Sequence, residues 1–439
     1  MLARLALTAA TIALALALPS AAAADSYFSI KGAAAPGPSK YDKVWVQQIG
    51  PAAARHVLVL VPGTEGAAGS VAFAGRDIQA ALGADWQVWA EDRREVAFHD
   101  LKGFASGDPD AAKAYYLGFK YHQTTTRDVP YARQWGLKVA LNDLHEVVKR
   151  ARAGGRKVVL GGHSLGAEDA IAYAAWDFNG RAGYKDLSGI VLVDGGELGA
   201  FSSRSGRLSL AQVKKEKAAI DKGEAFDDIL GIGNPSIASI FSAVSALYAL
   251  KAPDAPSALA SNALVPANLR PAFPTTNGGF VGHIFDRTYS PFVSLSVRMG
   301  DFAAEGDPRP WANGENMTVA RFSAAFSQVK PTFAEWYFPK RLSLDSFGAD
   351  SMKRDRVTNF LGLRLWHTKE INVPLYAYQT DLTNGGVLLG AQNVKNASKI
   401  PRLVAVDDGA NASHLDPVIA PPETNKFIQT VVPFLQAIP

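Results

Sequence analysis

Val158-Val159-Leu160-Gly161-Gly162-His163-Ser164-Leu165-Gly166-Ala167 reads as a strand, a tight turn and the start of a helix. Val158 to Leu160 is a short apolar, β-branched run of the kind that a strand buried on both faces requires. Ser164 stands between Gly162 and Gly166. A serine lifted on a strained strand-to-helix turn needs small neighbours on both sides, and these two glycines meet that demand. From Ala167 to Phe178, the apolar positions Ala167, Ala170, Ile171, Ala174 and Phe178 recur on one helical face. A helix that begins just past the serine aims its first amides at the place where negative charge would gather. Gly-x-Ser-x-Gly alone recurs by chance; the strand before it and the helix after it give it meaning.

Outward from this stretch the same rhythm repeats. Val44 to Ile49, His56 to Val61 and Trp86 to Ala90 read as strands on the N-terminal side, and Ile190 to Val193 as one on the C-terminal side. Val71 to Leu82 and Leu137 to Arg152 read as helices between them. Asp25 to Lys43 looks like a loose lead-in, rich in Ala, Gly, Pro and Ser. Alternating strands and helices predict an α/β fold with a mostly parallel central sheet and flanking helices. The alternation stops at about Glu197 and resumes with strands at Val373 to Tyr378 and Arg402 to Val406 and a helix at Asn425 to Leu435. The interval of about 175 residues is too long for a simple connection. It holds expected helices at Leu208 to Lys222, Ser236 to Leu250 and Val319 to Phe326, and reads as a largely helical insertion over the sheet's carboxyl edge.

Gly162-His163-Ser164-Leu165-Gly166 resembles the nucleophile elbow of the α/β-hydrolase superfamily, in the form common among lipases and esterases. The resemblance covers about Val44 to Gly196 and Val373 to the C-terminus. It implies a serine hydrolase core in two parts, 25–196 and 373–439, with residues 197–372 as a cap or lid.

The superfamily's chain order is nucleophile, acid, histidine. Of eight histidines, His414 fits the base. It follows the last expected strand and precedes the final helix, in the run Ser413-His414-Leu415-Asp416-Pro417. His163, His99, His283 and His367 are weaker choices, with His283 a candidate substrate contact from the insertion. An acid must orient the imidazole. Asp381, past the first strand after the insertion, is the first choice, and Asp194, at the end of the preceding strand, is the alternative. Asp407 and Asp408 are expected to shape a turn. The oxyanion hole needs two backbone donors. The resemblance implies Leu165 for one and the loop Pro62-Gly63-Thr64-Glu65-Gly66 for the other, with Thr64 first and Glu65 second.

The expected reaction is ester hydrolysis through an acyl-enzyme on Ser164. An exported peptidase or amidase with the same triad is a second reading, favoured if the cap carries charged groups that grip a peptide terminus. A binding protein on a hydrolase scaffold is a third. The net charge of +4 is spread in short clusters, so no nucleic-acid partner is expected. No metal spacing or dinucleotide fingerprint is found, so no cofactor is expected either. The partner is then a small-molecule or lipid-like ester. Residues 1–24 read as a secretory leader: Arg4, the apolar run Leu5 to Leu18, and small residues ending at Ala24. That run is too short for a comfortable membrane span. The mature chain is expected to start near Asp25 and to be secreted or periplasmic. There is no cysteine, which excludes disulfides, thiolate metal sites and a Cys nucleophile.

Overall fold

The computed structural model describes residues 25–439 except 119, 232, 264 and 305–308. The leader expected over residues 1–24 lies outside the described residues. Eight strands form one sheet: β1 (Ser26–Lys31), β2 (Lys43–Ile49), β3 (His56–Val61), β4 (Trp86–Asp92), β5 (Lys157–His163), β6 (Gly189–Val193), β7 (Leu375–Gln379) and β8 (Leu403–Asp407). Their spatial order is β1-β2-β4-β3-β5-β6-β7-β8. β1 and β2 pair antiparallel, as do β2 and β4, and all pairs from β4 to β8 are parallel.

The unbroken apolar runs have a simple cause. Alternate residues of each strand face opposite sides, and both sides are covered. Leu58, Leu60, Val88, Val159 and Val191 pack under α1 (Ala68–Leu82) and the C-terminal helix (Lys426–Gln436). Val57, Val59, Val158, Leu160, Ile190 and Leu192 pack under α2 (Leu137–Ala151) and α3 (Leu165–Ala175).

Residues between β6 and β7 form helices Leu210–Lys222, Ile237–Lys251, Asn277–Phe285, Val319–Phe326 and Lys340–Ala349, with shorter elements between them. Their apolar residues do not form a separate core. Ile240, Val244, Phe280 and Phe322 join the cluster on the α1 side, and Val213, Ile220, Leu342 and Leu344 join the other.

Three local expectations change. The lead-in holds β1, whose pairing with β2 and the hydrogen bond from Tyr27 to Asp92 tie it to the sheet edge. The helix after Ser164 stops at Ala175, and Asp177–Phe178 pairs with Arg181–Ala182 instead. A helix at Gly386–Ala397, not read from the sequence, connects β7 to β8.

Register places the site. Val61 is level with Gly162, His163 with Val193, and Val193 with Tyr378. The carboxyl ends of β3, β5, β6 and β7 therefore finish side by side, where side chains from the following turns converge.

Candidate active site

Ser164 is the turn residue itself, with φ 56° and ψ −127°. Gly162 and Gly166 are required by close packing. A Cβ on Gly162 would lie 1.9 Å from the Gly166 carbonyl oxygen, and one on Gly166 would lie 2.1 Å from the Val61 carbonyl oxygen. α3 starts at the next residue, so the Leu165 amide belongs to the first turn and has no intrahelical acceptor.

His414, in the loop after β8, is 2% exposed. Its Nδ1 lies 2.6 Å from Asp194 Oδ2. Asp194 follows β6 directly, is fully buried, and has φ 49°. It accepts the Thr380 amide at 2.7 Å and also the Thr380 hydroxyl. Burial opposes its ionisation, but the hydrogen bonds from His414 and Thr380 prevail and hold its pKa below the ordinary value. His163 Nε2 lies 2.8 Å from the His414 carbonyl oxygen, and the two rings are 4.4 Å apart. Burial, with the neighbouring His414 ring, lowers the His163 pKa to about 3. His163 is therefore a neutral donor that fixes the backbone of the histidine loop. Ser164 and His414 line one cavity of about 410 Å³. No hydrogen bond joins their side chains among the described residues; such contacts are commonly long without substrate and tighten when it binds.

Asp381, the first-choice acid, is not on His414. Its Oδ2 accepts Arg287 Nε at 2.8 Å and the Ser413 hydroxyl at 3.2 Å, with Arg298 at 3.6 Å. The reason is local. After β7 the chain spends Thr380 on Asp194, so the next side chain turns toward the insertion's arginines. Asp381 thus ties the insertion to the loop that carries His414.

The other candidates resolve as follows. His99 stacks on Trp336 at 4.7 Å and accepts its amide, and burial lowers its pKa to about 3. His283 packs against Tyr289 and does not line the cavity. His367 meets Asp177 and Glu370. Asp407 and Asp408 accept the Gly409 amide and the Tyr378 hydroxyl, which shapes the turn after β8.

The loop after β3 lies against the serine. A Cβ on Gly63 would sit 2.8 Å from Ser164 Cβ and 3.4 Å from its Oγ. The Thr64 amide donates to no acceptor among the described residues. Sequence reasoning missed what holds this loop. Arg93, 5% exposed, donates to the carbonyls of Pro62 at 2.5 Å, Gly63 at 3.3 Å and Gly66 at 3.4 Å. It also pairs with Glu335 at 3.2 Å and Asp169 at 3.6 Å. With the carbonyls drawn to Arg93 and the Gly66 amide donated to the Gly63 carbonyl at 3.1 Å, the Thr64 and Glu65 amides have no acceptor among the described residues. The signal for Arg93 was the charged run Glu91-Asp92-Arg93-Arg94, whose first two residues complete β4. The insertion pairs with the same loop: Glu335 donates its amide to the Glu65 carbonyl at 2.8 Å, and Gly66 bridges Ala334.

One wall of the cavity is apolar, with Phe285, Leu295, Phe326, Phe333 and Leu415. A smaller, apolar cavity of about 50 Å³ shares Phe285 and Leu295 with it. Among the described residues, no group of histidines and carboxylates is arranged to hold a metal ion. No described helix is long and apolar enough to cross a membrane.

No protein-family profile matches the chain, and no curated protein matches it by sequence. Solved structures do. A Sulfolobus solfataricus protein provisionally assigned as a lipase superposes with a TM-score of 0.52 at 16% identity, over 94% of this chain and 93% of its own. A monoacylglycerol lipase of Paleococcus ferrophilus (TM-score 0.43, 13% identity, 90% and 99% coverage) also matches. So does epoxide hydrolase A of Mycobacterium thermoresistibile (0.43, 14%, 95% and 99%). The first of these likenesses, together with the strand order and the turn at Ser164, identifies the chain as having the α/β-hydrolase fold.

Proposed function

We propose that the protein is a serine hydrolase that cleaves carboxylic esters, with Ser164 as nucleophile, His414 as base and Asp194 as the acid. The observation that carries this reading is the 2.6 Å contact of His414 Nδ1 with the buried Asp194 carboxylate, in a histidine that shares a cavity with Ser164. Asp194 holds Nδ1 protonated, which leaves Nε2 as the basic nitrogen. His414 Nε2 takes the Ser164 proton as Oγ bonds to the carbonyl carbon. The Leu165 and Thr64 amides hold the resulting oxyanion. The carbon–oxygen bond to the alcohol then breaks, and the proton on His414 leaves with the alcohol. Water repeats the sequence on the acyl-enzyme and releases the acid. The apolar wall and the adjoining cavity supply a place for an acyl chain.

In this reading residues 197–372 act as a cap over the cavity, and the chain is exported after removal of residues 1–24. A fluorophosphonate that labels Ser164 in the intact protein, and not the Ser164→Ala variant, supports the mechanism. Ser164→Ala should fold normally and lose on the order of 10⁶ in kcat. A correctly folded variant with more than a few per cent of wild-type turnover overturns it. Mass spectrometry of the exported chain tests the leader: a mature protein still carrying residues 1–24 defeats that part.

A further inference from the structure

Residues 332–338 of the insertion lie along the loop after β3. The Ala67 amide donates to the Phe333 carbonyl at 2.9 Å, the Gly69 amide to the Thr332 carbonyl at 3.0 Å, and the Glu335 amide to the Glu65 carbonyl at 2.8 Å. The approach is close: a Cβ on Gly69 would sit 2.4 Å from the Thr332 carbonyl oxygen. Arg93 packs against the same segment, with its guanidinium 5.4 Å from the centre of the Phe338 ring. The two terminal nitrogens of Arg93 have different tasks. Nη2 donates to the Pro62 carbonyl at 2.5 Å. Nη1 meets the Gly63 carbonyl at 3.3 Å, the Gly66 carbonyl at 3.4 Å and Glu335 Oε2 at 3.2 Å. Glu335 is 1% exposed, and its Oε1 has no hydrogen-bond partner among the described residues.

We propose that Glu335 is a positioning residue for the oxyanion hole: through Arg93 it sets the direction of the Gly63–Thr64 peptide. The proposal rests on the reading of Ser164 as nucleophile and of Thr64 as an oxyanion donor. A guanidinium is planar and presents its donors as a rigid fork, but the arm that carries it has several rotatable bonds. An acceptor on Nη1 fixes the rotation of the fork, and Nη1 is the nitrogen that meets Gly63 and Gly66, on either side of Thr64 and Glu65. Asp169, at 3.6 Å, faces Nη2 and leaves the Nη1 side to Glu335. The carbonyl and the amide of one trans peptide point in opposite directions. A Gly63 carbonyl held on Arg93 therefore turns the Thr64 amide away from Arg93, and Thr64 lines the cavity with Ser164. Stability does not account for Glu335. Burial, with Glu95 nearby, raises its pKa well above the ordinary carboxylate range, against the pull of Arg93. A buried ion pair is often no more stable than apolar side chains of similar volume. What the carboxyl supplies is an acceptor oxygen at one place. Residues 332–338 thus work with the core's catalytic loops, although they lie inside the insertion.

The test compares variants of Glu335 in the full-length protein, with p-nitrophenyl butyrate as substrate. The backbone hydrogen bonds of the segment and the His99–Trp336 contact do not use the Glu335 side chain, so the segment stays docked in such variants. Glu335→Met removes the acceptor. It is expected to lower kcat roughly tenfold to a hundredfold, with KM within about threefold of wild type, because the oxyanion donor is misdirected rather than deleted. Affinity for 1,1,1-trifluorooctan-2-one is expected to fall with kcat, since its adduct on Ser164 carries the same oxyanion. Glu335→Gln keeps an acceptor for Nη1 and puts its NH₂ where Oε1 has no partner, so it is expected to recover most of both losses. Should the Met variant not fold, Glu335→Asp keeps the charge but withdraws the carboxylate, and it is expected to show the same paired losses, several-fold in size. Wild-type kcat and ketone affinity in the folded variant overturn the proposal. So does a loss of kcat in Glu335→Met that ketone affinity does not follow, or that glutamine does not rescue. Wild-type protein that neither hydrolyses the ester nor takes a fluorophosphonate on Ser164 overturns the nucleophile, and the role of Glu335 with it.

Discussion

Replacing Asp194 by asparagine separates the two acid candidates more sharply than any other single change. The carboxylate is fully buried and has three donors: His414 Nδ1, the Thr380 amide and the Thr380 hydroxyl. Asparagine keeps the shape but offers an NH₂ to one of its neighbours. The Thr380 amide, which meets Oδ1, needs an acceptor, so the asparagine oxygen stays with it and the NH₂ takes the place of Oδ2, facing both His414 Nδ1 and the Thr380 hydroxyl. A donor facing Nδ1 selects the tautomer protonated at Nε2, which cannot take the Ser164 proton. The expected loss is roughly 10⁴ in kcat. Stability falls by about 1–3 kcal/mol, the usual result of disturbing one buried hydrogen-bonded group. Asp381→Asn has the opposite profile. It weakens contacts to Arg287 and Arg298, whose side chains are 38% and 27% exposed. Solvent screening limits that loss to about 1 kcal/mol or less, and kcat should change no more than a few-fold. The assay is kcat on a p-nitrophenyl ester together with Tm by circular dichroism for both variants. If Asp194→Asn retains more than a few per cent of kcat while Asp381→Asn loses most of it, the assignment of Asp194 is refuted.

The remaining expectations concern the same turns. Gly63→Ala brings a Cβ within 2.8 Å of Ser164 Cβ and should reduce kcat by about 10²-fold or more while the protein still folds; unchanged turnover would mean that the loop is not part of the oxyanion hole. Arg93→Met removes the clamp on Pro62, Gly63 and Gly66 and leaves Glu335 and Asp169 without their cation. It should lower stability by about 3–5 kcal/mol and depress kcat, so wild-type values in both urea unfolding and turnover would contradict the clamp. Asp194 has a folded-state pKa below its unfolded value, so its stabilising contribution is present above about pH 4 and is lost as pH falls through the folded value. The Tm gap between wild type and Asp194→Asn should accordingly narrow below about pH 4, and a gap that stays constant to pH 3 counts against it.

The sheet was legible because its strands are buried on both faces and so appear as continuous apolar runs. The bounds of His56–Val61 could be read directly. β1 was not legible, because Ser26–Lys31 sits at the sheet edge, is partly exposed, and lacks such a run. The helix Gly386–Ala397 was hidden by its glycine-bearing start and by the polar residues among its apolar ones. At the site, Ser164, His414 and the β3 loop could be found because each follows a strand and carries a local motif. The acid was read wrongly: Asp194 and Asp381 both follow strands at the same edge, the sequence favoured Asp381, and it is Asp194 that meets His414. What decides between them is the backbone at one residue: Asp194 is left-handed, with φ 49°, and turns its carboxylate inward toward His414 and Thr380. Arg93 and Thr380 act through tertiary contacts across tens or hundreds of residues, which local patterns do not encode.

The strained backbone ties these observations together. Glu65, Ser164 and Asp194 have φ values of 53°, 56° and 49°, and they lie in the turns after β3, β5 and β6. Each is a non-glycine residue in the left-handed region, at a cost of about 1–3 kcal/mol. Glycine stands close by in all three turns, at Gly63 and Gly66, at Gly162 and Gly166, and at Gly195 and Gly196. Turning the chain therefore did not require side chains at the strained positions. At Ser164 the side chain is the hydroxyl that faces the cavity, and at Asp194 it is the carboxylate that holds His414. Glu65 stands in the loop that Arg93 and the insertion fix in place, at the edge of the cavity.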